Sequence, residues 1–151
     1  MSIGYLLATV GLAISFTRPT FAQDTIDPKV EQQIRAFTMK YDEAFNKNDA
    51  TALGALFSED AVLSGLHGKF KGRQAIENFH NQQVFGRWHV NNRVTTVDRV
   101  VSVNDEVSSS GRWSETVQSN GAKNVGGTYS WALIRDGDSW KIRTATYSEQ
   151  Y

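Results

Sequence analysis

Apolar positions along the chain fall into three successive patterns. From Tyr5 to Phe16 they form one unbroken run, YLLATVGLAISF. From Val30 they recur every three or four residues, at Val30, Ile34, Phe37, Tyr41 and Phe45, while Glu31, Gln32, Arg35, Asp42 and Glu43 take the other face. After Gly86 they alternate with polar residues in long segments rich in Val, Thr, Trp and Tyr. A period near 3.6 marks an amphipathic helix with one buried stripe, and a period of two marks strands with one face in the core.

Turn and capping residues divide these patterns into elements. Asp27-Pro28 predicts a helix start, with proline in the first turn, and Asn46-Lys47-Asn48 ends that helix. Asp49 predicts the cap of a second, short helix carrying Leu53, Leu56 and Phe57. Ala61-Val62-Leu63 reads as a short strand, followed by a glycine-rich hairpin through Gly65, Gly68 and Gly72. A third helix is expected from about Arg73 to Gln83, burying Ile76, Phe79 and Val84. Strands are expected near 88–103, 106–119, 124–136 and 139–148, with turns at Asn104-Asp105, Ser119-Asn120-Gly121 and Asp136-Gly137-Asp138. Helices first and a long antiparallel meander afterwards predict an α+β domain, with helices covering one face of a curved sheet.

The opening run changes the picture of where the protein works. A dozen apolar residues are too few for a bilayer-spanning helix, which needs about 20, and suit the apolar region of a signal peptide. Pro19 and the small-residue pattern Thr20-Phe21-Ala22 follow, then the polar QDTIDP. Residues 1–22 are therefore expected to be a cleaved signal peptide, and residues 23–151 a mature periplasmic or secreted domain, free of the membrane once cleaved. The segment before the run, MSIGY, lacks the usual Lys or Arg. Formal net charge is zero, and loss of residues 1–22 removes only Arg18 and leaves −1. Such a balance gives no electrostatic footprint for nucleic acid or an anionic membrane. The chain has no cysteine, which excludes disulfides, thiolate metal sites and a Cys nucleophile.

Two stretches carry a family likeness. YDEAFNKNDATALGALFSEDAVLSGLHGKFKGRQAIENF, from Tyr41 to Phe79, resembles the SnoaL-like signature of an aromatic helix, N-x-x-D, ALF-x-x-DA and G-x-x-x-GR-x-AI. LIRDGDSWKIRTATYS, from Leu133 to Ser148, resembles the closing hairpin of the same group. The chain is thus identified as similar to the nuclear-transport-factor-2-like superfamily, nearest in wording to small SgcJ/EcaC-type members. The resemblance implies a cone: a curved antiparallel sheet wrapped around about three N-terminal helices, with an internal pocket. It also suggests a homodimer through the sheet's convex face. The superfamily holds isomerases, dehydratases, hydrolases, cyclases, transport factors and assembly domains, so the fold does not settle the function.

The pocket residues are weighed on that frame. A ketosteroid isomerase needs a carboxylate base, plus a tyrosine and a protonated acid as oxyanion donors. The resemblance places Tyr41 at the tyrosine position, but Gly65 where the base belongs and Trp131 where the acid belongs. Glycine takes no proton, so steroid isomerisation is rejected. Strand alternation sends Tyr129 and Leu133 inward with Trp131 and puts Trp113 and Glu115 on one face, which resemblance to the association domain of calcium/calmodulin-dependent kinase implies is the pocket face. On the last strand Trp140, Ile142, Thr144 and Thr146 share a face. The expected pocket therefore holds Tyr41, Trp113, Tyr129, Trp131 and Thr144, with Glu115 as its one carboxylate. Burial of Glu115 would raise its pKa and suit it to proton transfer. Against this stands the plainer reading, in which the aromatics fill the core, Glu115 is a rim charge and Tyr41 a hydrogen-bonded core tyrosine.

His67, His80 and His89 show no metal-ligand spacing, so neither metal nor cofactor is expected. His67-Gly68-Lys69 and Gly72-Arg73 read as turn and helix-start residues, and Ser108-Ser109-Ser110 as a polar strand segment. Three functions remain open. One is a binding protein for a small hydrophobic molecule. Another is a cofactor-independent lyase, isomerase or hydrolase using Glu115 and Tyr41. The third is a dimerisation domain without ligand. An empty cavity of several hundred Å3, with or without Glu115 exposed to it, favours the first two, and a cavity filled by Trp113 and Trp131 favours the third.

Overall fold

A computed structural model describes residues 26–150, so the expected signal peptide at 1–22 lies outside the described residues. Helix α1 spans Pro28–Asn46 and begins as its sequence requires, with Asp27 Oδ1 accepting from the Lys29 amide at 2.8 Å. Its stripe Ile34, Phe37, Tyr41 and Phe45 is buried. Helix α2, Ala50–Gly54, is capped by Asp49, whose Oδ1 accepts from Ala52 N at 2.9 Å. It is shorter than expected. Phe57, placed on that helix by its spacing, instead opens strand β1, Phe57–Gly65, where it is fully buried. Strand β2, Gly68–Lys71, completes the hairpin. Gly72, at φ +87°, turns the chain into α3, Arg73–Phe79. Few residues other than glycine adopt that backbone.

The third helix does not stop at Phe79. It continues as a π-helical segment, His80–Arg87, before strands β3 (Asn91–Val103), β4 (Glu106–Val117), β5 (Lys123–Asp136) and β6 (Ser139–Gln150). The six strands form one sheet in the order β2-β1-β6-β5-β4-β3. Every pair is antiparallel except β1 with β6, which run parallel. The sheet is curved and unclosed, and the helices fill its concave side.

Bulges shape that curve. Arg143 is an extra residue in β6, because Leu133 pairs with Ile142 while Ala132 pairs with Thr144. A second extra residue lies between Asn91 and Val94 of β3, opposite the stretch Ser114–Thr116, and Asn92 there has φ +55°. A bulge bends its strand and re-aims the side chains that follow.

β3 is an edge strand, and α1 supplies the partners that its edge lacks. Asn46 mimics a neighbouring strand, accepting from Arg93 N at 2.7 Å and donating to Arg93 O at 2.9 Å. Asp42 accepts from Thr95 N at 2.7 Å and from its hydroxyl at 2.6 Å. Paired edges do not recruit other chains.

Candidate functional site

Between α1, the π-helical segment and the inner sheet face lies a cavity of about 370 Å3. Its walls are largely apolar, formed by Phe45, Leu63, Val84, Val90, Trp113 and Val125. The β1–β2 turn, where Leu66 is exposed, and the Ser119–Gly121 loop also line it.

The aromatic residues expected in the pocket divide into two layers. Tyr41 and Trp113 line the cavity. Tyr129 and Trp131 are buried beneath it and do not line it. Their ring centroids are 4.7 Å apart, and Trp131 stands 4.8 Å from Tyr41 and 6.2 Å from Phe37. These two are core, as the plainer reading had it. Thr144 is exposed on the outer face. Strict alternation fails there because the extra residue at Arg143 flips the parity, so that Ala145 and Tyr147 turn inward instead. Tyr147, which the alternation sent outward, lines the cavity.

Two phenol hydroxyls and an indole N–H form a relay at the cavity floor. Trp131 Nε1 donates to Tyr147 Oη at 3.0 Å, and Tyr147 Oη donates to Tyr41 Oη at 3.0 Å. An indole nitrogen only donates, and with Tyr147 Oη donating onward the Tyr41 hydrogen is the terminal donor of the relay. Burial pushes both tyrosine pKa values above the usual range, Tyr41 well above it. Both phenols therefore keep their protons at neutral pH. Tyr129, also raised chiefly by burial to about 12, bonds Ser109 at 3.4 Å.

Glu115 does line the cavity, but it is not alone there. Its Oε2 accepts from Arg93 Nη1 at 2.8 Å, with the side chains 14% and 5% exposed. Arg93 was absent from the expected site. The bulge at Asn92 turns it inward, and the rings of Trp113, Tyr147, Phe45 and Tyr41 surround its guanidinium carbon at 4.9, 5.1, 5.3 and 5.7 Å. Arg93 Nε donates to Thr95 Oγ1 at 3.2 Å, and its Nη2 has no acceptor among the described residues. A charge so placed is tolerable because it is paired and faces aromatic π systems.

His80 also lines the cavity and was not expected there. Its Nδ1 lies 2.8 Å from the Ile76 carbonyl oxygen. Burial presses its pKa down to about 4, and the nearby Arg93 charge acts in the same direction. Among the described residues no group of three or more His, Asp or Glu side chains is placed to hold a metal ion, and no helix is long and apolar enough to cross a membrane.

The SnoaL-like domain family model matches residues 29–146. The chain belongs to the SnoaL-like domain family. No curated protein matches it in sequence. Among solved structures it is similar to a nuclear-transport-factor-2-like superfamily protein of Salmonella enterica (21% identity, TM-score 0.69, covering 82% of this chain and 92% of that one). It is similar to the hexachlorocyclohexane dehydrochlorinase LinA-type3 of Novosphingobium barchaimii (19%, TM-score 0.71, 82% and 88%). A putative scytalone dehydratase of Novosphingobium aromaticivorans gives 15%, TM-score 0.72, 82% and 87%. At such identities the SnoaL-like domain shares their cone and not, on that ground, their chemistry.

Proposed function

We propose that this SnoaL-like domain is exported and binds a small hydrophobic molecule in its internal cavity. The observation that carries the reading is the cavity itself: about 370 Å3 with apolar walls and a small polar floor. That is the size and composition of a small-ligand site. Trp113 and Trp131 leave it unfilled, whereas a filled cavity would have favoured a domain that only assembles. Export is supported by the short apolar run and the Thr20-Phe21-Ala22 pattern.

The neutral fluorophore N-phenyl-1-naphthylamine tests the reading, since its emission rises in apolar surroundings. The protein is expected to bind it at micromolar concentration. Val125→Trp, which places an indole in the cavity from an inward position of β5, is expected to abolish the signal while the protein stays folded. Equal binding by both proteins would sink the cavity assignment.

A second reading, acid–base catalysis, draws on one observation. Tyr41 ends its relay as a protonated donor beside the cavity, where it could polarise a carbonyl oxygen. Glu115 would be the base, but only if substrate displaces it from Arg93. Binding needs no such rearrangement and is preferred.

A further inference from the structure

His80 brings to the cavity lining an imidazole that is neutral and fixed in orientation. A carbonyl oxygen only accepts, so the 2.8 Å contact with Ile76 O requires the hydrogen on Nδ1. Nε2 is thereby the lone-pair nitrogen. The ring is 4% exposed and packs among Phe79, Phe85 and Phe45, with centroids at 5.4, 6.1 and 6.2 Å. It cannot swing away without breaking those contacts. The transition from α3 into the π-helical segment falls at this residue, and such segments often accompany functional sites.

The groups around Nε2 narrow what it accepts. A ligand ammonium would meet the Arg93 guanidinium, whose charge acts on the His80 ring. A ligand carboxylate has no hydrogen to give to Nε2, and its partner in this cavity would be the Arg93 guanidinium instead. A neutral hydroxyl has the required hydrogen and no charge to desolvate. The rings of Phe45 and Trp113 on the same walls favour a flat apolar body behind it.

We infer that the cavity selects apolar molecules bearing a neutral hydroxyl, phenol-like in chemistry, whose O–H donates to His80 Nε2. This rests on the cavity being a binding site and adds the chemical class of its occupant. The role is recognition. No bond is made or broken.

Three probes of like size test it: 2-naphthol, which donates a hydrogen bond; 2-methoxynaphthalene, which only accepts; and 2-methylnaphthalene, which does neither. Titration calorimetry on the native protein is expected to rank 2-naphthol about tenfold tighter than either other probe, the worth of one desolvated hydrogen bond. With 15N-histidine labelling, the His80 Nε2 resonance is expected to move upfield with 2-naphthol and to stay in place with 2-methoxynaphthalene. His80→Phe keeps the aromatic packing and removes the acceptor, so it is expected to bind all three probes alike. Equal affinities in the native protein, or a His80 resonance unmoved by bound 2-naphthol, would overturn the hydroxyl assignment and leave the cavity reading standing. Failure of all three probes to bind would overturn both. The NMR measurement needs only the native protein, so the outcome is read even where His80→Phe does not fold.

Discussion

His80 ties the cavity to stability as well as to recognition. Burial holds its pKa at about 4, against about 6.5 in an unfolded chain. Between those values the unfolded chain binds a proton that the folded one refuses. The stability that neutral His80 carries is thus complete above about pH 6.5 and is lost as the pH falls towards 4, by at most about 3 kcal/mol. Urea unfolding of the native protein at pH 7 and 4.5 is expected to show this loss, and His80→Phe a distinctly smaller one. Asp42, raised by burial, titrates in the opposite sense but is common to both proteins. Equal losses in the two would show that the His80 ring is not buried in its neutral form.

The same residues show what alternation could and could not reveal. Inward Trp113, Glu115, Tyr129 and Trp131 were legible because β4 and β5 pair without interruption from Val107 to Val117. Arg93 was not legible, since its direction depends on a bulge. The only signal was Asn91-Asn92, the residue type that tolerates the left-handed backbone seen at Asn92. His80 had a clearer one: it stands four residues after Ile76 and four before Val84, on a buried stripe. A histidine in such a stripe needs a partner, and Ile76 O is that partner.

At the scale of elements, the π-helical segment positions the wall. Trp88 N bonds Gln83 O at 2.8 Å, a five-residue step, and the wider turn carries Val84 and Phe85 inward together with His80. Gly86 permits it: a Cβ there would stand 2.9 Å from the Asn81 carbonyl oxygen, five residues back. Backbone on both sides leaves little room to yield. Gly86→Ala is expected to destabilise the protein by about 1–3 kcal/mol, as overpacking does, and to weaken N-phenyl-1-naphthylamine binding because the wall shifts. Thermal melts and the fluorescence titration check both. An unchanged melting temperature would mean that the segment relaxes at no cost. The order of elements was legible from periodicity and turn residues. Their exact ends were not, because Phe57 satisfies either a helical stripe or the start of a buried strand, and only the pairing of β1 with β6 decides between them.

For the whole molecule, the concave and convex faces of the sheet have opposite characters. The concave face holds the core and cavity. The convex face carries Ser110, Ser130 and Thr146 in one cross-strand row, with no helix over it among the described residues. An interface there would be polar, as many non-obligate interfaces are. The family likeness makes a two-fold dimer through this face the expected assembly, in which the same patch meets itself. Two copies of Ser130→Arg would then bring like charges together near the axis, and this variant is expected to be monomeric with its cavity intact. The protein should be taken from the exported fraction of its host, which also tests processing. Intact mass is expected to place the first residue at Gln23. Light scattering at micromolar concentration is expected to give twice that mass, falling to the single-chain value in Ser130→Arg. A full-length chain held in the membrane fraction would overturn export. A single-chain mass for the native protein would overturn the dimer.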